Sequence, residues 1–161
     1  MRISDLFRAG LVVFSVAGSM LASVSFAHAL DEQVAQADSS EKRSPWAVFR
    51  FGFSAYKAGD KDEAVEAYRY AAENGQIGAR WKLATMYAQG DGVTQSDYEA
   101  FRFYQEIVQQ EVEPGGPDDS YVADALVALA GYLRSGIPGS PVAANPMASQ
   151  EYYMRAAASY R

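Results

Sequence analysis

An all-α solenoid of about three helix-turn-helix repeats is the fold class this sequence predicts, and three observations predict it. The first is the stretch Lys61 to Val93, KDEAVEAYRYAAENGQIGARWKLATMYAQGDGV. Here Ala64, Tyr68, Ala71 and Ala72 recur at helical spacing up to Gly75, and Leu83, Ala84 and Tyr87 recur up to Gly90. Small residues alternating with aromatic ones let two antiparallel helices approach closely, and a terminal glycine lets the chain turn back. The second is repetition: Ala64, Ala100 and Ser149 occupy one position, Tyr68, Tyr104 and Tyr153 the next, and Ala71, Ile107 and Ala156 a third, with a period of 36 residues and then 49. The third is that Gly59, Gly90 and Gly136 each close a first helix, so the change in period falls in the loops. Three pairs is about the minimum for a stable stack, and such stacks usually bind rather than catalyse.

The elements follow in order. Arg2 and Arg8 precede an apolar run from Leu11 to Val24 and then Ala27-His28-Ala29, so residues 1–29 read as a secretory signal cleaved after Ala29. The run is shorter than the roughly 20 residues a membrane span needs, so no membrane insertion is expected after cleavage. Residues 30–44 have no aromatic residue and no apolar period and are expected to be a disordered leader. Residues 45–161 form the repeat domain. Ser44-Pro45 offers a cap followed by proline at the first helical position, for a helix to about Ala58. Asp60 with Glu63 has the capping-box spacing for the second, which reaches Asn74. Ile77 to Gln89 is the third. Ser96-Asp97-Tyr98-Glu99 is a full capping box for the fourth, which runs to Gln110. The stretch Glu111 to Asp119, with Pro114-Gly115-Gly116-Pro117, is a loop. A fifth helix runs from about Ser120 to Ser135, a second irregular stretch spans Ile137 to Asn145, and Asn145-Pro146 starts the last helix.

Composition excludes several functions. The net charge of −6 becomes −7 once residues 1–29, with Arg2, Arg8 and Asp5, are removed. An acidic protein is repelled by nucleic acid and by anionic membrane. There is no cysteine, and the only histidine, His28, lies in the signal. The remaining chain thus lacks the commonest general base, the thiol nucleophile and the two commonest zinc ligands. Gly90 and Gly92 follow no strand and precede no Lys-Ser/Thr pair, so they read as a repeat turn rather than a phosphate loop. Asp91, Asp97 and Glu99 depart from calcium-loop spacing. No catalytic residue, cofactor or metal is expected, and the chain is not expected to be an enzyme.

Leu83-Ala84-x-x-Tyr87-x-x-Gly90-x-Gly92-Val93, followed by Ala100-x-x-x-Tyr104, resembles a Sel1-like repeat, a relative of the tetratricopeptide repeat with elastic loops. The strings FRFGFSAYKAGDKDEAVEAYRYAAENG, MYAQGDGV, SDYEAF and SGIPGSPV, in this order over about Pro45 to Arg161, resemble the ExoR family of periplasmic negative regulators of exopolysaccharide production. The resemblance implies a periplasmic protein that binds the periplasmic domain of a sensor histidine kinase and holds its two-component pathway off. A generic Sel1 adaptor scaffolding cell-envelope proteins is the alternative. The sequence stops as the third pair closes, without a polar capping helix, so either it is a piece of a longer protein or the last helix, around Tyr152 and Met154, packs on a partner or, by self-association, on another copy of the chain.

If the first helix of each pair lines the groove, as in tetratricopeptide relatives, residues one or two steps off the buried positions face a partner. Those are Arg50, Ser54 and Lys57 in the first unit, Trp81, Thr85 and Gln89 in the second, and Arg134 in the third. They form a mildly basic strip with Trp81 as its exposed aromatic on an acidic protein, and Arg and Trp are types that concentrate binding energy.

Overall fold

The computed structural model describes residues 44–113 and 115–159; the expected signal and all of the expected leader but Ser44 lie outside them. The described residues form six α-helices and no strand: α1 (Pro45–Ala58), α2 (Lys61–Glu73), α3 (Ile77–Gln89), α4 (Asp97–Gln109), α5 (Asp119–Ser135) and α6 (Pro146–Ser159). Each helix packs on the next, and α3 also touches α5. This is the architecture of an α-solenoid of paired helices. No described helix is long and apolar enough to cross a membrane.

Local chemistry accounts for the boundaries. The Ser44 hydroxyl accepts from the Ala47 amide at 3.1 Å, with Pro45 at the first helical position, where its missing N–H costs nothing. Asp60 and Ser96 accept from the amides of Glu63 and Glu99, three residues on, at 3.4 and 3.2 Å. Gly59 and Gly90 end α1 and α3 at φ of 91° and 70°, a left-handed conformation that a side chain would strain. The Asn145 side chain accepts from the Ala148 amide at 3.1 Å and starts α6. Helix α5 begins at Asp119, one residue before the expected start.

Two apolar clusters form the core, and α3 belongs to both. Ala79, Leu83 and Met86 join Ala55, Val65, Tyr68 and Ala71 of the first pair. Ile77 and Ala84, on another side of α3, join Phe101, Tyr104, Ile107, Ala125 and Leu129. Small residues set the close approaches. A Cβ on Gly52 would stand 2.9 Å from the Tyr68 ring, so α1 and α2 meet at a distance only glycine permits. The three-fold small position is buried throughout: Ala64 and Ala100 are wholly buried and Ser149 nearly so. In the third pair the Ser149 hydroxyl donates to the Ala130 carbonyl at 2.7 Å, which satisfies a polar group where the other pairs carry methyls.

The three tyrosines of the repeat position are not equally buried. Tyr68 is 0 % and Tyr104 7 % exposed, but Tyr153 is 40 % exposed. The first two are each covered by the helix pair that follows, α3 over Tyr68 and α5 over Tyr104. Among the described residues no helix follows α6 to do the same for Tyr153, and Met147 and Met154 of α6 are exposed as well.

Candidate partner-binding groove

A groove of about 660 Å³ opens between the first helices of the three pairs. Helix α1 supplies Trp46, Phe49, Arg50, Phe53 and Ser54, α3 supplies Trp81 and Lys82, and α5 supplies Tyr121. Helical spacing puts the α1 residues on one side: 46, 49, 50 and 53 are separated by three and four positions. The rings form two groups. Trp46 lies 5.7 Å from Phe49, which in turn lies 5.8 Å from the buried Tyr68. Across the groove Trp81 and Tyr121 are 5.6 Å apart.

Cations stand over these rings. The Lys82 ammonium is 4.9 Å from the Tyr56 ring centre, 5.6 Å from that of Trp81 and 6.0 Å from that of Phe53. Lys57 lies 5.3 Å from the Phe53 ring centre. At such distances the negative face of an aromatic ring attracts a cation. Among the described residues, neither lysine nor Arg50 forms an ion pair with a carboxylate. No carboxylate among the described residues lines the groove.

The expected site residues are placed unevenly. Arg50, Ser54 and Trp81 meet in the groove, and Lys57 stands beside it over Phe53. Thr85 and Gln89 lie one and two turns further along α3 and do not line it. The Thr85 hydroxyl donates to the Lys82 carbonyl at 2.8 Å. Arg134 is exposed in the last turn of α5, whereas Tyr121 enters from its first turn. Thirteen residues of helix separate the two by about 20 Å. Trp81, expected to be the strip's exposed aromatic, is half-buried, because Tyr121 packs on it; the wetted rings are Trp46 and Phe53, 55 % and 44 % exposed. Lys82, Trp46, Phe53 and Tyr121 were not among the expected site residues. The alternation of basic and aromatic residues in Trp46 to Lys57 is the signal that could have pointed to the α1 members.

The carboxylates weighed for calcium serve the fold instead. Asp91 accepts from the Tyr56 hydroxyl and the Lys61 ammonium, tying the turn after α3 to α1 and α2. Those two hydrogen bonds, Lys61 first, hold its pKa below the usual carboxylate value, while Asp91 holds that of Lys61 above its usual value. Asp97 accepts from the Tyr132 hydroxyl at 3.4 Å, and Glu99 pairs with Arg102 at 3.3 Å. Among the described residues no cluster of acidic or histidine side chains is arranged to hold a metal.

Fold and groove together define an all-helical, repeat-like protein that carries a groove of cations and exposed rings. Over 121 residues, 75 % of the chain, it is 55 % identical to an exopolysaccharide production negative regulator of Rhizobium meliloti (strain 1021). It is 53 % identical over the same length to the protein of that name from Rhizobium leguminosarum bv. viciae. The chain is a homologue of these regulators (ExoR) and spans less than half, 45 %, of their length. No protein-family model matches the sequence, and no solved structure matches the fold.

Proposed function

We propose that this chain is a negative regulator of exopolysaccharide production that acts in the periplasm, binding the periplasmic domain of a sensor histidine kinase and holding its two-component pathway off. The observation that carries the reading is the pairing of a 55 % identical regulator with a groove of unpaired cations and exposed rings on an acidic protein. The protein acts by occupancy, with the first helices of its repeats as the contact face. Nothing in this role calls for a catalytic group.

Charge reversal tests it directly. The double variant Arg50→Glu, Lys57→Glu changes two exposed side chains that make no ion pair among the described residues, so the helical circular dichroism is expected to be unchanged. Its affinity for the isolated sensor domain is expected to fall about tenfold or more, a change of about 1.4 kcal/mol. Unchanged affinity would remove the groove from the interface. Deleting the gene is expected to raise exopolysaccharide output, and unaltered output would overturn the regulatory role. Equal binding to unrelated envelope proteins would favour a general adaptor.

A further inference from the structure

We infer that the groove recognises an extended peptide segment in which carboxylates flank an aromatic or aliphatic anchor. This rests on the partner-binding reading above and specifies what the partner presents. The argument begins with charge. Arg50 and Lys82 line the groove and Lys57 stands beside it, none of the three within ion-pair distance of a carboxylate among the described residues, although the protein is acidic overall. Among the described residues an anionic occupant meets three cations and no carboxylate in the lining; Asp91, whose charge also acts on Lys82, is itself held by Lys61 and Tyr56. Lys82 is held by its cation-π contacts to Phe53, Tyr56 and Trp81, so little ordering is left for binding to impose on it.

Apolar surface supplies the second requirement. Trp46 and Phe53 are each more than two-fifths exposed on the groove side of α1, opposite Trp81 and Tyr121. An apolar side chain entering between the two ring groups would bury that surface, while its flanking carboxylates reach Arg50 on one side and Lys82 on the other.

Hydrogen bonding decides between a peptide and an acidic sugar, which shares the negative charge. A sugar presents many hydroxyls and needs side-chain donors and acceptors to match. Here the Ser54 hydroxyl donates to the Arg50 carbonyl at 3.2 Å, and the neighbouring Thr85 hydroxyl donates to the Lys82 carbonyl at 2.8 Å. Both hydroxyl protons are engaged on their own helices, and the other polar groups of the lining are donors, Arg50, Lys82 and two indole N–H groups, and the Tyr121 hydroxyl, with no carboxylate or carboxamide among the described residues to accept from sugar hydroxyls. That surface suits carboxylates and an apolar anchor.

The test uses a phage library of random dodecamer peptides panned on the full chain, so that it does not depend on the kinase. The expected result is an enriched consensus with Asp or Glu on both sides of an aromatic or aliphatic residue. A synthetic peptide of that consensus should bind at least tenfold more weakly to Arg50→Glu and to Trp81→Ala, and as well as before to Arg102→Ala on the opposite side of the repeat. Circular dichroism controls for folding, and Arg50→Glu, at an exposed position, keeps the test valid if Trp81→Ala unfolds. A consensus without carboxylates, binding indifferent to both variants, or stronger competition by a uronic-acid hexasaccharide would overturn the inference. If the sensor domain binds and no peptide is enriched, the inference fails and the regulatory reading stands. If an acidic consensus is enriched and the sensor domain does not bind, the peptide specificity stands and the kinase reading fails.

Discussion

Two basic residues on α3, Arg80 and Lys82, stand two positions apart and are used in opposite ways. Arg80 turns toward α4. Its side chain is only 17 % exposed, its Nε lies 3.6 Å from a Glu106 carboxylate oxygen, and its guanidinium also donates to the Gln110 side chain. Arg69 and Arg102 on the same side have Glu66 and Glu99 within ion-pair distance. Lys82 turns the other way, toward the groove, and meets rings. A helical step of two positions is about 200°, which is enough to place neighbours on opposite sides. On the one side of α3 the cations have carboxylates within ion-pair distance, and on the groove side Lys82 has rings in contact and no carboxylate that close among the described residues.

The largest effect should come from the residue between those two sides. Leu83 is wholly buried and packs in the cluster shared by α1, α2 and α3, so Leu83→Ala is expected to lower the unfolding free energy by about 2–5 kcal/mol in urea titration. A loss below about 1 kcal/mol would mean that α3 is not what joins the pairs. Next comes the direct contrast. Arg80→Ala should cost about 1–2 kcal/mol, since it removes a half-buried ion pair and a hydrogen bond, and should leave sensor-domain binding intact. Lys82→Ala should cost less than that, about 0.5–1 kcal/mol from its cation-π contacts, and weaken binding. Equal behaviour of the two variants in either assay would erase the distinction.

A smaller effect of opposite sign is expected at Tyr68. Burial pushes its phenol pKa up to about 12, and its hydroxyl has no hydrogen-bond partner among the described residues. Tyr68→Phe should be neutral or stabilising by up to about 1 kcal/mol, read as a raised midpoint; a clear loss would show that the hydroxyl is satisfied. The smallest effect is the pH dependence of the Asp91 link. The folded pKa of Asp91 lies below its ordinary 3.8, so its contribution is present above that value and is lost as pH falls through the lowered one. Lys61, raised above its ordinary 10.5, contributes below that value and loses its part as pH rises through the raised one. Thermal midpoints of Asp91→Asn should therefore fall less steeply than wild type at both the acid and the alkaline end. Parallel profiles would mean that the link contributes nothing measurable.

Much of the fold was legible in the residues. Ser44, Asp60 and Ser96 announce helix starts, and Gly59 and Gly90 announce ends, because caps and left-handed turns depend on side chains within a few positions. The small-residue and tyrosine positions marked the packed side of α2 and α4 correctly and failed at Tyr153, which no helix pair among the described residues covers. The groove was half legible. Arg50, Ser54 and Trp81 follow from counting outward from the buried stripe, but the same counting also selects Thr85, Gln89 and Arg134, because a stripe runs the whole length of a helix and a groove does not.

By itself the sequence determined the six helices, their pairing and the acidic balance, since periodicity, caps and charge are properties of short stretches. Only the tertiary structure decided that Tyr121 of α5 reaches Trp81, that Lys82 lies over Phe53 and Tyr56, and that Arg80 does not share its groove. Those meetings depend on how closely α1 and α3 approach and at which ends the first helices converge. That geometry is set by Gly52 against Tyr68 and by α3 sitting in both cores, contacts that no spacing along one helix contains.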